Sequence, residues 1–301
     1  METMDRTMMD TAVAVFAYRR PQALRACLAS LAACDGAADL DVTVFVDGPS
    51  DGKDRTLVDE TARTARSSRG FRSLEVCQSE THLGLGASVI GGIDRVLTAH
   101  ASVIVLEDDL TVQPGFLRFM RDGLDRYAEE ERVFSVCGYT NRVRMPEEYA
   151  ADAYFCPRSS SWGWATWKDR WDSVDWNPTP ADLQKYRHAF AAWGGSDCPD
   201  LLRAWREGRN ASWAIRFCFS EFLQGKVSLF PVRSLVDASA GFDGSGTHCP
   251  RYNRFRFDLD SRPGPFRFPD SVDLIPSVRR SALRYHSIPL RAWTRLRNLF
   301  A

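Results

Sequence analysis

Short apolar runs alternate with segments of helical periodicity through the first half of this sequence, and this alternation restricts the fold more than any other feature. The runs that predict buried strands are 12–17, 42–46, 74–77 and 103–106. The segments with helical spacing of apolar residues are 22–33, 85–97 and 114–127. Strands that are apolar throughout and separated by helices indicate an α/β fold, with a mostly parallel central sheet flanked by helices on both faces.

Acidic residues follow two of these predicted strands. Asp47 ends the second strand, and Glu107, Asp108 and Asp109 end the fourth. Parallel sheets bind ligands at the carboxyl ends of their strands. We therefore expect the functional site at this edge of the sheet, before any motif is considered.

Composition excludes several classes of partner and site. Lys plus Arg and Asp plus Glu number 39 each, so the chain lacks the overall basic charge typical of nucleic-acid-binding proteins. The eight cysteines are scattered without a C-x-x-C pair, which argues against a disulfide framework and against a zinc ribbon. No apolar run approaches about 18 residues and no basic stretch precedes the first one, so we expect no signal peptide, no spanning helix and a cytoplasmic location.

The three consecutive acidic residues in VIVLEDDL are the strongest indication of a functional site in this sequence. Like charges at the end of a buried strand repel each other, and a divalent cation would neutralise them. Oxygen ligands without a nearby His or Cys favour magnesium or manganese, which keep open positions for substrate phosphates. The alternative is a turn in which one aspartate caps the following helix.

Several segments, in their order along the chain, resemble GT-A fold glycosyltransferases, in particular the N-acetylglucosaminyltransferase I family and bacterial family 2-like sugar transferases. The first half carries VAVFAYRRPQALRACLASL, TVFVDGPSDGK, VIVLEDDLTVQPGFLRFM and FSVCGY. The second half carries YFCPRSSSWGWATWKDRW and SLVDASAGFDGSGTHC, so the resemblance covers roughly residues 11–250. It implies a Rossmann-like nucleotide-sugar-binding half at 1–150 and a C-terminal acceptor-binding and lid half of the same domain at 151–275.

The resemblance implies roles for the acidic triplet. Asp109 matches the position that ligates manganese in that family, so the expected cofactor is Mn²⁺, or Mg²⁺ in its place. Glu107 and Asp108 match positions that face the nucleotide. The metal would take up the charge that develops on a departing nucleoside diphosphate.

It also implies two further donor-binding residues. Asp47 matches an acid at the uracil or ribose end of the donor, where a carboxylate can accept hydrogen bonds. Arg20 matches an arginine near the base and phosphates, with Arg19 as the neighbouring alternative.

The glycine-rich segment GFDGSGTHC resembles a loop that becomes ordered over the bound donor. Such a loop closes on phosphates and excludes water that would otherwise hydrolyse the donor. His248 in this segment is expected to ligate the metal or to donate to a diphosphate oxygen.

The catalytic base is the point at which this sequence departs from the family. In SWAIRF the acidic position of the family falls on Ala214, which cannot accept a proton. The remaining candidates are Asp243 in the glycine-rich segment, Glu221 and Asp237. We favour Asp243 because a base must reach the sugar-binding cleft, with a turn before Gly244 as its alternative role.

The Trp-rich block has two expected roles. Trp164, Trp167 and Trp171 fall at helical spacing and are expected on one buried helix face. Trp162 and Gly163 precede that stripe and are the candidates for acceptor binding, because indole faces pack on the C–H faces of sugar rings.

The segment 276–301 is predicted to be a basic amphipathic tail. The apolar side of its helical projection comprises Leu290, Trp293, Leu296, Leu299 and Phe300, and the basic side Arg291 and Arg295. Such a helix can lie in a membrane interface, or it can pack on the domain. From Pro250 onward there are 11 arginines and four aspartates, a balance of +7 that leaves −7 in residues 1–249 and favours an anionic membrane surface as a partner.

Together these inferences predict a glycosyltransferase that moves a sugar, with inversion, from a nucleoside diphosphate, UDP being favoured, to a glycan or lipid-linked acceptor. Only four of the 39 basic residues are lysine, which suggests a GC-rich bacterial source and cell-envelope polysaccharide synthesis. One alternative is a nucleotidyltransferase of the same fold class, although YRRPQ lacks the glycines expected there. The other is a non-catalytic protein that binds a glycan or nucleotide sugar, motivated by Ala214.

Overall fold

The structure is a computed structural model that describes residues 10–242, 253–255 and 258–298. The strands of these ranges are β1 (Thr11–Ala17), β2 (Asp41–Val46), β3 (Ser73–Gln78), β4 (Ser102–Glu107), β5 (Thr111–Val112), β6 (Val133–Cys137), β7 (Ala153–Cys156), β8 (Trp164–Trp167), β9 (Val227–Pro231) and β10 (Val236–Asp237). Eight of them form one sheet in the order β3-β2-β1-β4-β8-β6-β9-β7, and β5 pairs with β10.

Six strands of the large sheet run in the same direction. Strands β3, β2, β1 and β4 pair in parallel, and β6 pairs in parallel with β9. Strands β8 and β7 run the opposite way, because β8 is antiparallel to both β4 and β6, and β7 is antiparallel to β9. The predicted α/β class and mostly parallel sheet are confirmed, and the sheet contains strands from both sides of residue 150.

Helices cover the sheet on both faces. They are α1 (Pro21–Ala32), α2 (Arg55–Ser67), α3 (Leu85–Val96), α4 (Phe116–Arg126), α5 (Lys168–Asp172), α6 (Pro180–Gly194), α7 (Cys198–Arg206), α8 (Trp213–Leu223), α9 (Pro276–Arg284) and α10 (Ile288–Asn298). Within the described ranges, no helix is long and apolar enough to cross a membrane.

The alternation of side chains along β1 shows how the two faces are filled. Val13 and Val15 pack with α1, α2 and α4, whereas Ala14 and Phe16 pack with α3 and α8 on the other face. All seven residues of β1 are buried, which explains why the run is apolar throughout. The edge strand β3 is only partly buried, and its apolar signal is correspondingly weaker.

The strands and helices predicted in the first half are confirmed, and the structure adds the helix α2 and the strands β5 and β6 there. The sequence did not predict α2, because this helix is mostly polar and buries mainly small residues such as Ala62 and Ala65. The predicted Trp helix face is wrong. Trp164 and Trp167 lie in β8 and point to opposite faces of the sheet, and only Trp171 lies in a helix.

The Trp side chains are nevertheless core residues, as expected. Trp164, Trp167 and Trp171 are each at most 2% exposed. Strand β8 lies between β4 and β6 in the middle of the sheet, so the side chains on both of its faces are covered. The seven cysteines of the described ranges are free thiols, and all except Cys77 are buried.

Candidate functional site

The carboxyl ends of β1 and β4 bring Arg20 against the acidic triplet. Because β1 and β4 are neighbours in parallel register, Phe16 pairs with Glu107 and the loop that follows β1 meets the loop that follows β4. Arg20 Nη2 donates to Asp108 Oδ1 at 2.5 Å, and Arg20 Nη1 donates to Asp109 Oδ2 at 3.1 Å. The backbone N–H of Tyr18 donates to the other oxygen of Asp108 at 3.2 Å.

The structure also distinguishes the two neighbouring arginines. Arg19 points away from the triplet and pairs with Asp54 at 2.7 Å, and its side chain is 45% exposed. Pro21 is the first residue of α1, and its fixed backbone begins the helix directly after Arg20. Arg20, rather than Arg19, therefore contacts the acids.

Burial and mutual repulsion perturb the carboxyl groups of the triplet. Burial, followed by the charges of Asp109 and Asp108, raises the pKa of Glu107 to about 8. Burial also raises the pKa of Asp108 to about 6, although the Arg20 guanidinium acts in the opposite direction. The pKa of Arg20 is raised, because the two aspartates outweigh its own burial. Two aspartates therefore share the single guanidinium of Arg20 in this site.

The donor set of the triplet fits a hard divalent cation. Carboxylate oxygens are the ligands that magnesium and manganese prefer. The side chain of Asp109 is 17% exposed and that of Asp108 is 3% exposed, so Asp109 is the more accessible of the two. In residues 10–242, 253–255 and 258–298, no three His, Cys, Asp or Glu side chains are grouped so that they could hold a metal ion. In nucleotide sites such an ion is usually bound by one or two carboxylates and completed by water and phosphate oxygens.

The alternative interpretation of the triplet, an aspartate that caps the next helix, is wrong. Helix α4 begins at Phe116, its N-cap residue is Gly115, and no side chain caps it. The short strand β5 separates the triplet from that helix. Asp108 and Asp109 are therefore held at the strand end for a reason other than helix capping.

Asp47 lies at the same edge of the sheet, but its carboxylate is occupied by the protein. Asp47 Oδ1 accepts the backbone N–H groups of Gly48 and Leu83, at 2.9 and 2.8 Å. Asp47 Oδ2 accepts the N–H of Gly84 at 3.0 Å and lies 2.8 Å from His82 Nδ1. Asp47 thus fixes the loop that precedes α3 at the end of β2.

Sequence reasoning missed a second cluster beside this loop. The Tyr18 hydroxyl donates to Asp54 at 2.6 Å, and the Ser50 hydroxyl donates to the same carboxylate oxygen at 2.6 Å. These bonds, together with Arg19, hold the pKa of Asp54 well below its usual range. The ring of Tyr18 lies 4.8 Å from that of His82, which creates an aromatic surface between Asp54 and Asp47. The only sequence signal was Tyr18 itself, next to the Arg-Arg-Pro segment.

A cavity of about 260 Å³, which we call the Trp162 cavity, lies in the second half of the chain. Its wall is formed by the loop after β6, the segment 156–162, the start of α8 and the end of α9. Trp162 lines this cavity and makes edge-to-face contacts with Tyr139 at 4.7 Å and Phe255 at 5.2 Å. The sequence-predicted acceptor residue Trp162 therefore lies on a cavity wall.

Gly163 does not line the Trp162 cavity. It lies between the cavity residue Trp162 and the strand β4, at whose end the acidic triplet stands. It is buried with φ of 64°, and a Cβ atom there would lie 2.7 Å from Val236 and 3.3 Å from Leu106. Only glycine fits both the left-handed backbone and this close approach. Because Leu106 directly precedes Glu107, the cavity wall and the acidic triplet share one edge of the sheet.

No carboxylate of the described residues lines the Trp162 cavity. Ala214, which occupies the family's acidic position, does line it, on the first turn of α8. Glu221 is fully buried and accepts hydrogen bonds from Ser159 N–H at 3.0 Å and Ser228 Oγ at 2.7 Å. Asp237 accepts the N–H of Ser239 within its own turn at 2.8 Å. Glu221 therefore supports the cavity wall and does not reach a substrate.

Two predicted site residues cannot be placed. Asp243 and His248 lie outside the described residues, as does the glycine-rich segment from 243 onward.

Comparisons with known proteins give limited likenesses. No family model and no curated protein matches the chain. Two structures of S. aureus TarS, one of them spanning its residues 1–349, share 15% and 14% identity, each with a TM-score of 0.40, over 75% and 74% of this chain. A mannosyltransferase from Pyrobaculum calidifontis, in complex with GDP-Man and Mn²⁺, shares 18% identity over 55% of this chain, with a TM-score of 0.36. The matched region spans 35%, 57% and 46% of those three chains, less than two thirds of each.

Proposed function

We propose that this chain is a metal-dependent glycosyltransferase of the GT-A type, which moves a sugar from a nucleoside diphosphate donor to a hydroxyl acceptor. The observation that carries the proposal is the contact of Arg20 with Asp108 and Asp109 where β1 and β4 end side by side. This edge is where parallel sheets bind nucleotides. It joins a phosphate-binding guanidinium to a set of carboxylates that suits a divalent cation.

The donor would lie along the carboxyl edge from β2 to β4. The base and ribose are assigned to the Tyr18 and His82 rings, since nucleobases stack on aromatic faces. Asp47 would act there by holding the loop before α3, because its own oxygens already accept three backbone N–H groups. UDP is favoured as the nucleotide on the family resemblance.

The diphosphate would lie between Arg20 and the triplet. Mn²⁺ or Mg²⁺ held by Asp109 supplies the positive charge that a departing nucleoside diphosphate requires. Arg20 can fork onto a phosphate oxygen when it leaves one of its two aspartate partners. Glu107 and Asp108 orient these groups from the buried side of the site.

The acceptor would enter the Trp162 cavity. The indole of Trp162 packs against a sugar ring, and Asp243 remains the proposed base, because the described wall of the cavity offers no carboxylate. His248 is proposed to close over the diphosphate. Inversion, a glycan or lipid-linked acceptor and a role in envelope polysaccharide synthesis rest on the family resemblance.

A thermal-shift comparison tests the metal and donor site. Mn²⁺ together with UDP, GDP or dTDP should raise the Tm of the wild-type protein and of Asp41→Asn, and should leave Asp109→Asn unchanged. Asp41 is a matched control because it also pairs with an arginine, Arg72, but lies at the amino end of β2. Equal shifts in all three proteins would exclude Asp109 as a ligand.

The products of the reaction distinguish the two enzyme classes. Incubation with a nucleotide sugar and Mn²⁺ should release nucleoside diphosphate, whereas a nucleotidyltransferase acting on a nucleoside triphosphate and a sugar phosphate would release pyrophosphate. Only three residues, Tyr18 to Arg20, connect β1 to α1, and none of them is glycine. This short connection disfavours the nucleotidyltransferase. Donor binding without transfer or hydrolysis would indicate a non-catalytic protein.

A further inference from the structure

An arginine cluster that the proposed donor site does not use lies beside the Trp162 cavity. Arg158 lines the cavity, Arg254 lies over the ring of the wall residue Phe255, and Arg291 is on α10. Three guanidinium groups that are partly buried need negative charges nearby. Their hydrogen-bond and ion-pair partners show whether the protein itself supplies enough negative charge.

Arg158 is the fixed member of the cluster. Its guanidinium makes a forked pair with Asp197, at 2.8 and 2.9 Å, and donates to the carbonyl of Gly194 at 2.9 Å. Its backbone has φ of 67°, a left-handed conformation that is uncommon for a residue other than glycine. Gly195 fits against this pair so closely that a Cβ atom would lie 2.6 Å from His286 and 3.0 Å from both Arg158 and Asp197.

Arg254 and Arg291 have hydroxyl partners instead of carboxylates. Arg254 Nη1 donates to Thr294 Oγ1 at 3.3 Å, and Arg291 Nη1 donates to Ser196 Oγ at 3.4 Å. The Nε of Arg254 is buried and has no hydrogen-bond partner in the part of the chain that the structure describes. Of the described carboxylates, only Asp197 pairs with a member of the cluster.

Among the described residues, the cluster therefore has three positive charges against one negative charge, an excess of two. His286 lines the cavity, and burial and then the charge of Arg158 lower its pKa to about 3, although Asp197, 3.8 Å away, acts in the opposite direction. Burial also lowers the pKa of Arg254, where the charge of Asp197 opposes those of Arg291 and Arg158. An anion bound at the Arg158 end of the cavity would relieve the repulsion.

We propose that the Trp162 cavity binds a phosphate group at its Arg158 end, where Arg254 and Arg291 add positive charge beside the wall, and that the acceptor of this enzyme is therefore a phosphorylated compound. A phosphate monoester carries close to two negative charges, which matches the excess of the cluster, whereas a carboxylate carries one. Arginine forks suit phosphate oxygens. A cavity of about 260 Å³ has room for one small group rather than an oligosaccharide.

The role of this ligand as an acceptor rests on the proposed glycosyl transfer, but the binding of phosphate does not. The test therefore begins without metal or nucleotide. Inorganic phosphate and a hexose phosphate should raise the Tm of the wild-type protein and of Arg295→Gln, because Arg295 is exposed on the same helix as Arg291. Their affinity should fall roughly tenfold or more in Arg291→Gln and Arg254→Gln.

The same variants can also be compared by their unfolding temperature without ligand, which should not fall. Without ligand, Arg291→Gln should unfold at the same temperature as the wild type or higher, since it removes repulsion from the cluster. Each variant that keeps the Mn²⁺ and nucleoside diphosphate shift has an intact donor site. No phosphate shift in the wild-type protein, or equal shifts in all four proteins, overturns the inference.

Two sources of phosphate remain to be distinguished by experiment. Phosphatidylcholine vesicles doped with a polyprenyl phosphate should bind the wild type more tightly than Arg291→Gln if the acceptor is lipid-linked. If the hexose phosphate is bound and the doped vesicles bind both proteins equally, the phosphate belongs to a soluble compound. A phosphate shift without any donor shift would reject the proposed glycosyltransferase and leave the anion site standing.

Discussion

At the scale of single residues, Arg20 is the group on which the donor site depends. It is the described cation that contacts both Asp108 and Asp109, and the pair with Asp108 is mostly buried. Charge-assisted hydrogen bonds of this kind are worth about 1.5–3 kcal/mol each, so the acids would repel one another more strongly without it. The same guanidinium is proposed to bind the diphosphate, which gives its removal two effects of opposite sign.

Arg20→Gln should separate these effects. Binding of Mn²⁺ alone should become tighter than in the wild type, because the cation no longer competes with a guanidinium for Asp109. Binding of nucleoside diphosphate in the presence of Mn²⁺ should weaken by roughly tenfold or more. Calorimetry with the metal alone and then with UDP measures both, and Arg19→Gln is the control. A loss of Mn²⁺ binding in Arg20→Gln would contradict this arrangement.

At the scale of elements, α8 is joined to the sheet and to the cavity wall by Glu221. Its carboxyl group accepts from Ser228 on β9 and from the backbone of Ser159 in the segment that lines the cavity. Ser228 also shares a hydrogen bond with Ser135 on β6, at 2.8 Å. Burial raises the pKa of Glu221 to about 8, and these hydrogen bonds only partly offset the effect.

The raised pKa of Glu221 makes the stability of the protein depend on pH. The folded protein binds this proton more tightly than the unfolded chain, so the stabilisation is complete below the unfolded pKa of about 4.5 and is lost as the pH rises toward 8. The loss is at most about 1.4 kcal/mol per pH unit. Glu221→Gln should have a flatter curve of unfolding free energy between pH 5 and 9, as measured by urea denaturation.

An exposed glutamate provides the control for that experiment. Glu75 is paired with Arg95 on the surface, and its side chain is 57% exposed. Glu75→Gln should follow the wild-type curve. Parallel curves for Glu221→Gln and the wild type would show that Glu221 is charged in the folded protein.

At the scale of the whole molecule, the basic C-terminal part packs beside the Trp162 cavity and leaves an apolar surface outside. The face of α10 toward the body carries Arg291, Thr294 and Asn298, whereas Ile288, Trp293 and Leu296 are exposed. The predicted division of this helix into an apolar side and a basic side is thus corrected. Leu290 is half-buried and Arg291 faces inward, because Arg291 belongs to the arginine cluster, and Leu299 and Phe300 lie outside the described residues.

We propose that this outward face contacts an anionic bilayer. Ile288, Trp293 and Leu296 are 67%, 51% and 47% exposed, and the exposed Arg295 and Arg297 flank them on a helical projection. Apolar side chains bordered by arginines are typical of helices that lie in a membrane interface.

We expect the double variant Trp293→Ser, Leu296→Ser to lose binding to vesicles that contain phosphatidylserine. The affinity should fall by roughly tenfold or more, since two interfacial side chains are removed. Wild-type binding should also weaken at high salt, because salt screens the attraction between Arg295, Arg297 and the lipid head groups. Flotation assays measure both, and the Tm shift with soluble phosphate should be unchanged in the variant. Equal binding of the two proteins would exclude α10 as the membrane contact.

Sequence patterns alone predicted β1 to β4, their parallel direction and the acidic residues at the end of β4. Strands buried on both faces leave a continuous apolar run, and parallel pairing fixes which of their ends meet. Tertiary structure decided what short patterns leave open. The spacing Trp-x-x-Trp suits a helix or a strand over four residues, and only the position of β8 between β4 and β6 selects the strand.

Long-range contacts also decided the residues of the site. Arg19 and Arg20 are equivalent in sequence, and the approach of β1 to β4 brings Arg20 alone to the triplet. Arg158, Arg254 and Arg291 are far apart along the chain, and packing of α10 against the body brings Arg254 and Arg291 beside the cavity that Arg158 lines. Periodicity reports which side chains are buried, because burial recurs along each element. It carries no information on which distant charges meet, because that depends on how the elements pack.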